Sequence, residues 1–244
     1  MKIYFKKKWK SVFILLAILV LVMSIYVNDY YKAMPEAQAV LHSNDKAEYR
    51  GTPWIEFTAK NKTIEKGLII YPGGKVAPEA YAPLAEKIAE AGFKVVVTPM
   101  IFNLAVLSPN RAERVIEKYP DIKRWYIAGH SLGGVMAAQF AYKNQDVIDG
   151  LILLASYPQK STNLSSSSIK VLSVYSTDDG FVGKDKIDAS KKLLPSSTQW
   201  IPITGGNHSQ MGWYGFQKGD KAAVITRNKQ QDILYRAIVE FMEK

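Results

Sequence analysis

The 244-residue chain predicts one doubly wound α/β domain on a mostly parallel sheet, with a transmembrane helix before it. Three observations carry this expectation. From residue 54 onward, short continuous runs of β-branched and aromatic residues alternate with helical patterns in the order βαβα. A glycine-rich turn, Gly129-His130-Ser131-Leu132-Gly133, stands between one such run and one such helix. Residues 11–27 are uncharged and apolar, directly behind a cluster of lysines.

Taken in order, the strand candidates are 54–58, 67–71, 94–98, 125–128, 150–154 and 170–175, with a further strand-like run at 199–203. Continuous rather than alternating apolar runs suit strands covered on both faces. The helix candidates between them are 78–91, where Pro83 marks a break or kink, then 109–118, 132–143, 184–194 and 227–242. The serine tract Ser165–Ser168 reads as part of a flexible surface connection. No internal repeat or second domain is visible. The expected organisation is a cytoplasmic lysine-rich segment and signal-anchor over 1–34, a juxtamembrane spacer over 35–52, and the folded domain over 53–244.

Composition narrows the chemistry. Hydrophobic residues at 48% and aromatic ones at 11% suffice for a substantial core. The absence of cysteine excludes disulfides, thiolate zinc sites, iron–sulfur clusters and a cysteine nucleophile. Three histidines, His42, His130 and His208, leave little for a metal cage, so neither metal nor cofactor is expected. The net charge of +10 points to nucleic acid only at first sight. Half of it lies in 1–34, where Lys2, Lys6, Lys7, Lys8, Lys10 and Lys32 face Asp29 alone, and no phosphate-binding stripe is visible elsewhere.

Lysines before the 11–27 run, with Trp9, Tyr26, Tyr30 and Tyr31 as interface anchors, predict an N-terminus inside and the rest outside. The first small-x-small site, Ala37-Gln38-Ala39, lies well beyond the run, which favours an uncleaved signal-anchor over a signal peptide. The expected location is therefore the cell membrane, single-pass, with the domain extracytoplasmic, or secreted if the segment is removed.

The turn at 129–133 reads G-x-S-x-G, with a strand running in and the helix former 135–140 running out. That is the context of a nucleophile elbow, in which Ser131 projects from a strained turn. The alternative is a glycine-rich turn whose serine caps the helix. A serine needs a base, and His208, in Gly205-Gly206-Asn207-His208, is the only histidine downstream. The acid is expected between them at a strand end, where Asp178 and Asp179 stand side by side; Asp179 is preferred. For the oxyanion, the amide of Leu132 is one donor, and the turn Tyr71-Pro72-Gly73-Gly74-Lys75 offers Gly74, with Lys75 as the fallback. Trp213, Tyr214, Phe216 and Phe102 are candidates to line a site.

These stretches together resemble the α/β-hydrolases, and more narrowly the small, lid-poor bacterial group described as dienelactone-hydrolase-like, over residues 53–244. The resemblance implies the α/β-hydrolase fold and a Ser131-Asp179-His208 triad, without specifying a substrate. Two departures stand out. Dienelactone hydrolases proper look for a cysteine nucleophile, so their substrate is not carried over. The usual His-Gly at the oxyanion strand is Pro72-Gly73 here. The connection following the next strand is too short for a lid, which implies an open site and a small or exposed substrate. The leading expectation is thus a membrane-tethered serine carboxylesterase acting on a small-molecule ester or exposed acyl group. Its alternatives are an acyltransferase or peptidase using the same triad, and a retired binding module. The retained serine, histidine, acid and glycine turns argue against the last.

Overall fold

The computed structural model describes residues 2–244, and of residues 2–8 and 11 the backbone alone. The chain divides into two units, Met1–Tyr30 and Tyr31–Lys244. The first consists of helix α1 (Lys2–Asn28). Here the expectation of a membrane span is corrected: among the described residues no helix is long and apolar enough to cross a membrane. The uncharged run 11–27 reaches about 26 Å at the helical rise, against roughly 30 Å of hydrocarbon. The expected single-pass cell-membrane location falls with it. The side chains of Lys2, Lys6, Lys7 and Lys8, expected to set orientation, lie outside the described residues.

In the second unit, helix α2 (Pro35–Gln38) precedes eight strands: β1 (Ala47–Arg50), β2 (Ile55–Ala59), β3 (Lys66–Tyr71), β4 (Lys94–Val97), β5 (Arg124–His130), β6 (Ile148–Leu154), β7 (Lys170–Ser176) and β8 (Gln199–Ile203). They form one sheet in the order β1-β2-β4-β3-β5-β6-β7-β8. β2 runs antiparallel to both β1 and β4, and all pairings from β4 to β8 are parallel. Helices α3 (Ala82–Glu90), α4 (Arg111–Lys118), α5 (Leu132–Lys143), α6 (Lys184–Ser190) and α7 (Arg227–Glu243) complete the unit.

Both faces of the sheet are buried, which explains the continuous apolar strands. Leu68 and Ile70 of β3 join α3 and α7 on one side. Ile69 and Tyr71 join α4 and α5 on the other. The break expected near Pro83 appears as a 3₁₀ turn, Pro78–Tyr81, leading into α3, so the proline sits in the first helical turn, where its missing N–H is harmless. Between β6 and β7 there is no helix or strand, yet Leu164 is fully buried and its amide donates to Leu193 O at 2.8 Å, so the connection is pinned to the core.

Residues 35–52, expected as a spacer, belong to this unit. β1 buries Ala47, and Tyr49 packs on Phe57 at 5.2 Å between ring centroids. Four residues with only two facing inward are too few to show a period. Ahead of them, Tyr31 N–H donates to Lys75 O at 2.7 Å, Ala77 N–H to Tyr31 O at 2.9 Å, and Met34 N–H to Trp213 O at 2.8 Å. The chain goes out to β4 after β3 and to β6 after β5, in opposite directions, so the carboxyl ends of β3 and β5 flank a topological switch point.

One buried ion pair ties β2 to β4. Lys94 Nζ lies 2.6 Å from Glu56 Oε1 and donates to Thr58 Oγ1 at 2.7 Å, while the Tyr119 hydroxyl donates to Glu56 Oε2. Burial alone would raise the Glu56 carboxyl, but hydrogen bonds from Lys94 and Tyr119, with the charges of Lys94 and Arg50, outweigh it and hold it below the ordinary value. With the folded value depressed, the stabilisation is present above the ordinary glutamate pKa and is lost as pH falls through the depressed value. Lys94→Met leaves the carboxylate buried without its cation and is expected to cost about 3–5 kcal/mol in urea unfolding; a loss under about 1 kcal/mol would mean that Tyr119 and Thr58 do not depend on it.

Candidate active site

At the end of β5 the chain turns through Ser131 at φ 51 and ψ −121 into α5. This sparsely populated conformation costs on the order of 1–3 kcal/mol and persists only where the surroundings enforce it. Two glycines make it possible. A Cβ on Gly129 would lie 2.4 Å from the carbonyl of Gly133, and one on Gly133 would lie 2.3 Å from the carbonyl oxygens of Tyr71 and Pro72. Ser131 N–H donates to Leu154 O at 3.0 Å, and Ser156 Oγ donates to Ser131 O at 2.7 Å. The serine makes no capping hydrogen bond from its side chain, so the alternative of a helix cap is not realised.

Asp179 and His208 are brought together. The carboxylate Oδ2 lies 2.8 Å from His208 Nδ1, with side chains 0% and 1% exposed. Asp179 Oδ1 accepts from the amides of Phe181 and Val182, each at 2.7 Å. Asp179 Oδ1 already accepts two amides, so the carboxylate is the acceptor toward His208 and Nδ1 the donor. Asp178, the other candidate, gives its amide to Gly206 O at 3.0 Å, and among the described residues no hydrogen bond joins it to His208. The ring of Phe181 meets His208 edge-on at 5.0 Å, and that of His130, the residue before Ser131, lies 4.5 Å away. The elbow and the histidine loop therefore meet at His130. His42 is exposed.

The turn after β3 can be followed amide by amide. Pro72 has no N–H. Gly73 N–H donates to the Tyr81 hydroxyl at 2.9 Å, and Lys75 N–H donates to Asn103 O at 2.7 Å. This occupies the amide of the fallback, Lys75. Gly74 N–H has no partner among the described residues, and neither does that of Leu132. The two residues adjoin: a Cβ on Gly74 would lie 3.2 Å from Leu132 Cδ2.

Several residues at the site escaped sequence reasoning. Asp220 gathers the loops around the Asp179–His208 pair: Oδ1 accepts from Gly180 N–H and Lys221 N–H, each at 2.9 Å, and Oδ2 from the amide and hydroxyl of Ser209 at 2.7 and 2.6 Å. Gln230, fully buried on α7, accepts from Asn207 N–H at 3.0 Å and donates to Asn207 O at 2.8 Å. Arg227 donates to the carbonyls of Ser209 at 2.8 Å and Gly215 at 3.0 Å, and to Gly212 O. The only sequence signal was the polar character of these side chains, because every partner but Lys221 is distant along the chain.

Of the aromatic candidates, Tyr214 is 4% exposed and packs on Tyr31 at 5.7 Å and His130 at 6.1 Å. Burial, then the neighbouring Tyr81 hydroxyl and the carboxylates of Asp220 and Asp179, pushes its hydroxyl well above the ordinary value. Trp213 stacks with the Arg227 guanidinium at 5.8 Å. Phe102, at φ 53, and Phe216 are exposed. Among the described residues no group of three or more His, Asp or Glu side chains is placed to hold a metal ion.

Comparison with known proteins follows this geometry. The fold is shared with Est1E from Butyrivibrio proteoclasticus, at TM-score 0.57 and 15% identity over 82% of this chain and 100% of that one. The structure of Est1E with ferulic acid bound gives 0.60 and 15%, over 83% and 99%. A CIB-like hydrolase from Thermoplasma acidophilum gives 0.54 and 14%, over 81% and 98%. No match is found among curated proteins. Residues 67–232, well over half of the chain, match the alpha/beta hydrolase family, and they run from β3 through the elbow to the Asp179 and His208 loops and into α7. On that span, the chain belongs to the alpha/beta hydrolase family.

Proposed function

We propose that this hydrolase is a serine carboxylesterase that works through an acyl-enzyme, with Ser131 as nucleophile, His208 as base and Asp179 as its orienting carboxylate. The observation that carries the reading is the buried 2.8 Å pair of Asp179 and His208, whose imidazole packs at 4.5 Å on the ring of His130, the residue before a serine held at φ 51 in a strand–turn–helix. In this reading Ser131 Oγ attacks the ester carbonyl carbon and its proton passes to His208 Nε2. The oxyanion of the tetrahedral intermediate is met by the amides of Gly74 and Leu132. His208 then returns the proton to the departing alcohol as the C–O bond breaks, leaving the acyl group on Ser131. Water, deprotonated by His208, attacks that ester, and His208 passes the proton to Ser131 Oγ as the acyl–Oγ bond breaks, releasing the acid and restoring the serine.

Two features support a small carboxylic ester as substrate. Est1E, which shares the fold, binds ferulic acid, itself a carboxylic acid. The pinned connection after β6 adds no helix that would cover the site.

Fluorophosphonate labelling together with a chain-length series of nitrophenyl esters tests the assignment. Ser131→Ala is expected to abolish labelling and lower turnover by on the order of 10³- to 10⁶-fold; equal labelling of the variant rules the reading out. Asp179→Asn is expected to leave the fold intact and to lower kcat by roughly 10³- to 10⁴-fold, through loss of the correct histidine tautomer, as read from steady-state kinetics beside a thermal melt. Asp220→Ala frees both loops at once, and a kcat loss of roughly 10- to 100-fold with KM nearly unchanged is expected from misplacement of the base.

A further inference from the structure

Tyr81 ends the 3₁₀ turn after β3 and is fully buried. Its hydroxyl accepts from Gly73 N–H at 2.9 Å and lies 2.8 Å from Nδ1 of His130, also fully buried. A phenol has one proton to give. With Gly73 donating to the oxygen and no other partner at hand, that proton goes to Nδ1, which is therefore the unprotonated nitrogen, and the imidazole is neutral with its proton on Nε2. Burial, then the charge of His208, holds His130 well below the ordinary histidine value, in keeping with a neutral ring. Burial likewise raises the Tyr81 hydroxyl, so it keeps its proton.

The position of His130 is not explained by satisfied hydrogen bonding, since its buried Nε2 has no partner among the described residues. What the ring does is join three parts of the site. A Cβ on Gly73 would lie 2.7 Å from its Nδ1 and 3.2 Å from the Tyr81 hydroxyl, its backbone leads directly into Ser131, and it packs at 4.5 Å on His208. Gly74, the one unbonded amide of the turn, is thus bracketed by two neighbours that are tied, Gly73 to Tyr81 and Lys75 to Asn103.

We propose that Tyr81 and His130 are positioning residues that aim the oxyanion loop: the Tyr81 hydroxyl, held between Gly73 N–H and His130 Nδ1, fixes the turn so that Gly74 N–H stands free beside the Leu132 amide. The proposal rests on the esterase reading for its kinetic consequence, but the hydrogen-bond arrangement stands apart from it. Neither side chain touches substrate; both act through the backbone of the turn.

Tyr81→Phe keeps the ring and removes the clamp. With a nitrophenyl ester, kcat per fluorophosphonate-labelled site is expected to fall roughly 10- to 100-fold, below the loss for deleting a donor outright, with KM within about threefold. Inhibition by a trifluoromethyl ketone, which forms the tetrahedral oxyanion, is expected to weaken by the same factor as kcat/KM. Unchanged kcat per labelled site, or a loss confined to KM or to the melting temperature, overturns the proposal. Should the variant not fold, ¹⁵N NMR of the wild-type His130 ring decides: a protonated Nε2 and bare Nδ1 are expected, and the opposite tautomer overturns the arrangement. If Ser131→Ala retains full turnover, the nucleophile assignment fails, while the ring tautomer still judges the clamp.

Discussion

The start of α5 passes the end of β3 so closely that a single methyl group on Gly133 would stand 2.3 Å from two carbonyl oxygens, and the rest of the site depends on this approach. It is possible because β3 and β5 pair in parallel register, with Tyr71 opposite Gly129, at the place where the chain's winding reverses. The approach brings the turn after β3 against the elbow, Gly74 beside Leu132 and Gly73 beside His130. The strain at Ser131 is sustained by the same packing, since the strand and helix on either side are both buried and cannot relax separately.

The other half of the site is held differently. The loops carrying Asp179 and His208 have little regular structure, and their one close backbone approach is at Gly180, where a Cβ would lie 2.6 Å from Gly219 O. A carboxylate, an amide and a guanidinium also position them: Asp220, Gln230 and Arg227 together accept from or donate to the backbone of residues 180, 207, 209, 212 and 215. Hydrogen bonds with one ionised partner are shorter and stronger than neutral ones, which suits fixing a loop from a single side chain. The molecule thus sets one side of the site by close packing of glycine and the other by polar contacts added to the approach at Gly180.

How far the sequence disclosed this follows the same division. The helix at 132–143 is found where it was expected, and the central strands match to within about two residues, because continuous apolar runs bounded by glycine and proline are local signals. Gly133 and Ser131 were legible because the elbow is local as well. Tyr81, Asp220 and Arg227 were not, since a buried hydroxyl or a loop carboxylate carries no local mark of a partner 8 to 49 positions away. β1 was hidden by its brevity. The run 11–27 was read as a span from its apolarity, the lysines before it and the aromatic residues around it, none of which reports whether the helix is long and apolar enough for that task.

The strap formed by Tyr31 and Met34 has a consequence for the order in which the domain assembles. These residues leave the ribosome ahead of every strand, yet their partners are Lys75 and Ala77 after β3 and Trp213 beyond the histidine loop. Tyr31 must wait for more than forty residues and Met34 for nearly all the remaining chain before its contact can form. During synthesis the leading segment therefore stays unmatched while the central strands and the elbow become available behind it. Closure of the strap marks a late step of assembly, made when both glycine-rich loops have already emerged.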